Sequence, residues 1–213
     1  MSLKIIREAF EDHNILTEET KQSRTQSPYL WIIDPLDGTI NYASGLPLFA
    51  VSIGVQYQGN TIAGVINLPA LGEVYTAVQG EGAYEGGRRL TVTTSELSEA
   101  VVSVILTSHF SEEHSQNTLN VIKALTGSIR GVRIIVCEAF ELASIASGRL
   151  DGNICIKADA YGAAAGQLLI EEAGGRVTEF SGRTFDKTSQ SIVASNGVIH
   201  KELTKITSSL DTK

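Results

Sequence analysis

Cysteine is scarce in this chain: Cys137 and Cys155 are the only two. They have neither metal-ligand spacing nor a disulfide-dense setting, which argues against a stapled secreted scaffold and for reduced thiols in a cytoplasmic protein. Long apolar runs are missing as well. None approaches the ~20 residues that a membrane helix requires, so no transmembrane span and no membrane partner are expected. No basic–apolar–small leader suggests a secretory signal. Basic residues are in the minority, 17 Lys and Arg against 24 Asp and Glu, for a formal charge of −7. Without a basic stretch interleaved with aromatics, nucleic-acid binding is not expected. Glycines are present, but Gly80, Gly82, Gly86 and Gly87 follow no phosphate-loop pattern and read as turns. Repeats, low-complexity tracts and long linkers are also lacking.

What remains is a chain of 213 residues with 42% apolar content, enough for a real core in one or two compact domains. Residues 4–12 carry Ile5, Ile6, Ala9 and Phe10 in helical spacing. Residues 15–19 read as a short strand ending in Glu18 and Glu19, and residues 21–28 as a polar loop. The runs 49–57, 61–68 and 73–78 are β-rich, with Gly59-Asn60 as a hairpin signal. To this point the pattern is a strand meander with helices packed on it. Beyond a boundary near residues 93–95, helices alternate with strands. Strands are expected at 101–106, 132–137, 151–156, 176–179 and 192–195. Helices are expected at 112–125, 138–148, 163–173 and 198–208. The expectation is an α+β chain in two parts: residues 1–93, an α+β unit holding the metal site, and residues 94–213, a three-layer α/β unit.

Chemistry concentrates in residues 31–41, Trp-Ile-Ile-Asp-Pro-Leu-Asp-Gly-Thr-Ile-Asn. An apolar strand runs into Asp34-Pro35, where proline removes a backbone donor and holds the preceding residue extended. Asp34 and Asp37 follow closely, with the Leu36 carbonyl and the Thr39 hydroxyl beside them. Hard cations such as Mg²⁺ take oxygen ligands of this kind. On spacing alone, an Asp-Pro turn whose aspartates cap a helix starting at Gly38 is the commoner explanation.

The longer string changes that balance. Asp34-Pro-Leu-Asp-Gly-Thr, then Asn41, Gly45, Pro47 and Phe49-Ala-Val-Ser-Ile-Gly54, resembles the first signature of the inositol monophosphatase family. A second stretch, Ala163-Ala-Ala-Gly166-Gln-Leu-Leu-Ile-Glu-Glu-Ala-Gly-Gly175, is similar to that family's second signature. The resemblance implies a layered αβαβα sandwich of the inositol monophosphatase/fructose-bisphosphatase type, lacking the N-terminal helices with which members normally begin. It implies Mg²⁺-dependent hydrolysis of inositol or sugar monophosphates, with Mn²⁺ as a substitute cation, by a cytoplasmic homodimer. Glu18, Asp34, the Leu36 carbonyl and Asp37 would hold metal. Glu18, Asp37 and Thr39 would be catalytic, and Gly38 and Thr39 would meet the substrate phosphate.

Several positions depart from the family pattern. Ile40 stands where a second threonine is usual. The Trp-Asp that normally opens the second signature is Tyr161-Gly162, so a metal-ligating carboxylate is missing there and Asp159 is the nearest substitute. The small turn that touches substrate becomes Val136-Cys137-Glu138, and a glutamate in it would repel a phosphate ester. The acidic residue that holds sugar hydroxyls falls on Cys155. Two dications ~4 Å apart repel by roughly 17 kcal/mol at an effective dielectric near 20, so a carboxylate lost at position 162 should weaken the second cation and impair activity. The competing expectation is an inactive family member that serves as a binding or oligomerising module, or a truncated product.

Overall fold

The computed structural model describes residues 2–17, 25–158, 160–186 and 188–210. The first half builds one seven-stranded sheet in chain order. Helix α1 (Ser2–Ala9) precedes β1 (Asn14–Thr17) and β2 (Tyr29–Asp37), which pair in parallel. After the short helix α2 (Thr39–Ala43) come β3 (Ala50–Tyr57), β4 (Asn60–Leu68), β5 (Glu73–Val78), β6 (Gly82–Glu85) and β7 (Arg88–Arg89), an antiparallel meander. The β3–β4 hairpin turns at Gln58-Gly59, both at positive φ, one residue earlier than Gly59-Asn60. Two central residues at positive φ match the right-handed twist of the flanking strands.

The second half contributes β8 (Val101–Val104), α3 (Glu112–Leu125), β9 (Gly131–Arg133), α4 (Glu138–Ala146), β10 (Gly152–Cys155), α5 (Ala160–Glu172), β11 (Arg176–Thr178), β12 (Ile192–Ser195) and α6 (His200–Thr207). Its five strands order as β11-β12-β10-β8-β9. The strand expected at 132–137 stops at Arg133. Ile134 is half exposed and Val136 takes φ +62, so the chain swings out of the sheet and enters α4. A β-branched residue is costly in that region, so the surroundings must hold Val136 there. The helix expected from residue 163 starts at Ala160, which puts Gly162 inside its first turn.

Alternation on the five-stranded sheet assigns its faces. Val102, Val104, Ile154 and Val193 pack with Val121 and Leu125 of α3 and Leu203 of α6. Cys155, Ile192 and Ala194 join the opposite core, with Leu142 and Ala143 of α4 and Leu169 and Ile170 of α5. That core also contains Ala50, Ile66, Leu68 and Tyr75 from the seven-stranded sheet, so α4 and α5 lie between the two sheets. Burying each of its Leu or Ile side chains is worth about 1.5–3 kcal/mol. On the outer side, α1 sets Ile6 against Ile15 and Ile33. The layers therefore run α–β–α–β–α, as the sequence resemblance implied.

The middle layer fits because small residues meet. A β-carbon on Gly64 of β4 would lie 3.0 Å from Ala165 Cα, and one on Gly54 of β3 would lie 3.0 Å from Ala164 Cβ. Helix α5 rests directly on the strands. Its other side meets α4, where a β-carbon on Gly166 would lie 2.5 Å from Leu142 Cδ1.

Candidate active site

Strand β2 ends in a bulge that aligns its carboxylates. Asp34 pairs with Ser52 and Asp37 with Ala50, so three steps along β2 answer two along β3. Pro35 lies in the irregular stretch and has no N–H for the ladder. Side chains three apart on a regular strand point to opposite faces; the extra residue returns Asp37 to the face of Asp34. Asp34 is buried, and its Oδ1 accepts from the Leu36 N–H at 3.0 Å. That bond closes a local turn around Pro35.

Asp37 is fixed from the other half of the molecule. The Ala139 N–H at the start of α4 donates to Asp37 Oδ2 at 2.6 Å. A carboxylate suits the unsatisfied amides and positive end of a helix N-terminus. The Cys137 thiol lies 3.5 Å from the same oxygen. Burial chiefly, and the Asp37 charge after it, push that thiol far above its ordinary range. Gly38 follows at φ +79, and a β-carbon on it would sit 2.8 Å from the Leu48 carbonyl oxygen and 3.1 Å from Cys137 Cβ. Only glycine serves there on both counts. Asn41 then ties the loop down, its amide donating to the Leu48 and Ile135 carbonyls at 2.8 Å each.

These parts border a cleft of about 220 Å³ that includes Asp37, Thr107, His109, Glu138, Cys155 and Lys157 in its lining. An adjoining space of about 130 Å³ is lined by Asp37, Gly38, Thr39 and Ile40. Two larger clefts, of about 300 and 310 Å³, lie elsewhere and contain none of the expected site residues. Behind the cleft, Glu141 of α4 is fully buried. Burial chiefly, and the charge of Asp37 after it, raise its carboxyl well above the usual carboxylate range.

Of the expected site residues, Asp37, Gly38 and Thr39 thus line one cleft, with Asp34 and Leu36 in the bulge that leads to it. Glu18 and Asp159 lie outside the described residues. Among the described residues, no three His, Cys, Asp or Glu side chains converge tightly enough to hold a metal between them. The donors present still suit a hard cation. They are oxygens, and Mg²⁺ commonly takes one or two carboxylates and completes its shell with water and substrate phosphate.

Glu138 lines the cleft and also lies against α5. A β-carbon on Gly162 would lie 3.1 Å from Glu138 Oε2, 3.3 Å from its Cβ and 3.7 Å from its Cγ. Its side chain therefore lies over Gly162, in the space that a side chain at 162 would claim. The paired change, a long acid at 138 and no side chain at 162, was the only sequence signal for this. Asn41 and Lys157 were also not singled out as site residues from sequence; one is a lone amide in a turn, the other a lone basic residue after a strand.

Two mixed sheets enclosing a helix pair, with an acidic bulge loop at the cleft, define a layered sandwich of the phosphatase type. The comparisons agree. The model of the inositol monophosphatase family matches residues 1–212, and the chain belongs to that family. It is 41% identical to the inositol-1-monophosphatase of Mesorhizobium japonicum, over 84% of this chain and 67% of that protein. It is 36% identical to the fructose-1,6-bisphosphatase/inositol-1-monophosphatase of Thermotoga maritima, over 94% of this chain and 75% of that protein. The inositol monophosphatase structure from Anabaena (Nostoc) superposes with a TM-score of 0.90 at 36% identity, covering 97% of this chain and 82% of that one.

Proposed function

We propose that the chain hydrolyses phosphate monoesters of inositol or of small sugars in a Mg²⁺-dependent reaction, with Mn²⁺ able to substitute. The observation that carries this reading is the β2 bulge, which turns Asp34 and Asp37 to one face beside a cleft. Glu18, Asp34, the Leu36 carbonyl oxygen and Asp37 would hold the cations, which would supply positive charge against a transferring phosphoryl group and lower the pKa of a bound water. The remaining work falls to the chain itself. The Thr39 hydroxyl orients the water, and Gly38, which lines the same space, presents its backbone to the phosphate. The Ala139 N–H holds Asp37 in place at 2.6 Å, so this ligand is positioned before substrate arrives. Lys157 brings a positive charge to the same cleft, which suits an anionic substrate. Both cysteines are buried and neither is in a disulfide, which supports a reducing, cytoplasmic setting.

The test combines calorimetry with phosphate release. Wild-type protein should bind Mn²⁺ and release phosphate from inositol or sugar monophosphates at millimolar Mg²⁺. Asp34→Asn, which keeps size and removes charge, should lose cation binding and activity together. Equal Mn²⁺ affinities for the two proteins would remove this loop as the metal site.

A further inference from the structure

We infer that Glu138 of α4 supplies the metal-ligating carboxylate that α5 lacks at Gly162, so the second half of the site is rebuilt from the neighbouring helix. The inference rests on the metal-dependent reading above and identifies a ligand which that reading does not include.

Three observations carry it. The first is position: the Glu138 carboxylate and stem occupy the space in front of Gly162, with Oε2 3.1 Å from where a β-carbon would be. Glutamate has one more methylene than aspartate, which suits a carboxylate reaching across from a second helix. The second is convergence: Glu138 and Asp37 line the same cleft, and the residue after Glu138 donates its N–H to Asp37. The third is cost. Glu138 is only 8% exposed and shares its cleft with Asp37. Two carboxylates brought together in one cleft repel, and a cation between them relieves that repulsion. Two carboxylates are sufficient protein ligands for Mg²⁺ when water and a phosphate complete the shell.

A purely structural role for Glu138 is the competing account, since an acid at the first helical position interacts well with the helix dipole. That accounts for an acid on α4. It does not account for a side chain laid over a glycine of α5 at the cleft.

The experiment is Mn²⁺ calorimetry in the presence of inorganic phosphate, with urea unfolding in metal-free buffer as the control for folding. Wild type should show a tighter and a weaker binding phase. Glu138→Gln keeps shape and removes charge; it should weaken the weaker phase about tenfold or more and leave the tighter one intact. Gly162→Asp alone should not tighten binding, because its side chain meets Glu138. The double variant Glu138→Ala/Gly162→Asp moves the carboxylate to α5 and should restore the weaker phase. If Glu138→Gln binds as wild type while Asp34→Asn does not, the inference is overturned and the metal loop stands. If neither substitution changes binding, the metal reading itself has failed. Loss of urea stability in Glu138→Gln with unchanged binding would assign the residue to the helix end alone.

Discussion

At the scale of single residues, buried polar groups do the positioning, and one of them sets an acid limit on stability. His200 is buried at the start of α6, its Nδ1 2.8 Å from Ser195 Oγ and its Nε2 2.9 Å from Thr178 Oγ1. Burial first, and the Arg176 charge second, lower its pKa from 6.5 to about 4. The unfolded chain therefore takes up this proton at a higher pH than the folded one. Stability is full above about pH 6.5 and is lost as pH falls towards 4, by on the order of 2–3 kcal/mol. Urea denaturation from pH 7.5 to 4.5 should show this fall, and His200→Gln should flatten it. A wild-type profile as flat as the variant's would remove His200 as the source. Asp37 and Asn41 are fixed in the same manner, each by hydrogen bonds to backbone groups of the other half. The motif singles out Asp37; it does not reveal the Ala139 N–H that holds it, because no pattern links residues so distant in sequence.

At the scale of elements, α4 and α5 cross in close contact between the two sheets. Gly166 permits that crossing: a β-carbon there would sit 2.5 Å from Leu142 Cδ1 and 2.6 Å from Leu142 Cβ. The second contact is to the base of a side chain, so a rotamer change cannot clear it and a helix must shift. Gly166→Ala should cost about 2–3 kcal/mol by overpacking. Combined with Leu142→Ala, it should cost less than the two single changes summed, because the residues share one contact. Additive losses in urea melts would show that this contact does not set the crossing. Apolar spacing marks both helices in the chain, and α3 begins and ends where expected. It misplaced the start of α5 and the end of β9. Both errors fall where tertiary contacts decide: the first turn of α5 rests on Glu138, and Val136 at φ +62 turns the chain towards Asp37.

At the scale of the whole molecule, one core crosses the middle of the chain. Ile66, Leu68 and Tyr75 of the first sheet share a buried cluster with Leu142, Leu169 and Ile192 of the second half. We expect one cooperative unfolding transition, with calorimetric and van't Hoff enthalpies in agreement. A fragment of residues 1–93 should not fold alone, since it would expose the face that α5 covers. Two separable transitions would indicate independent halves. No helix of the described residues is long and apolar enough to cross a membrane.

Local order along the chain was sufficient for much of this protein. Apolar periodicity marked most strands and helices, and the Asp34–Thr39 string marked the loop, because both depend on neighbours in sequence. The partners of that loop were decided by folding. Helix packing brings Ala139 to Asp37 and lays Glu138 over Gly162. At position 162 the sequence reads only a glycine; in three dimensions a carboxylate from another helix lies over it, because proximity in a packed core is set by how helices cross and not by order along the chain.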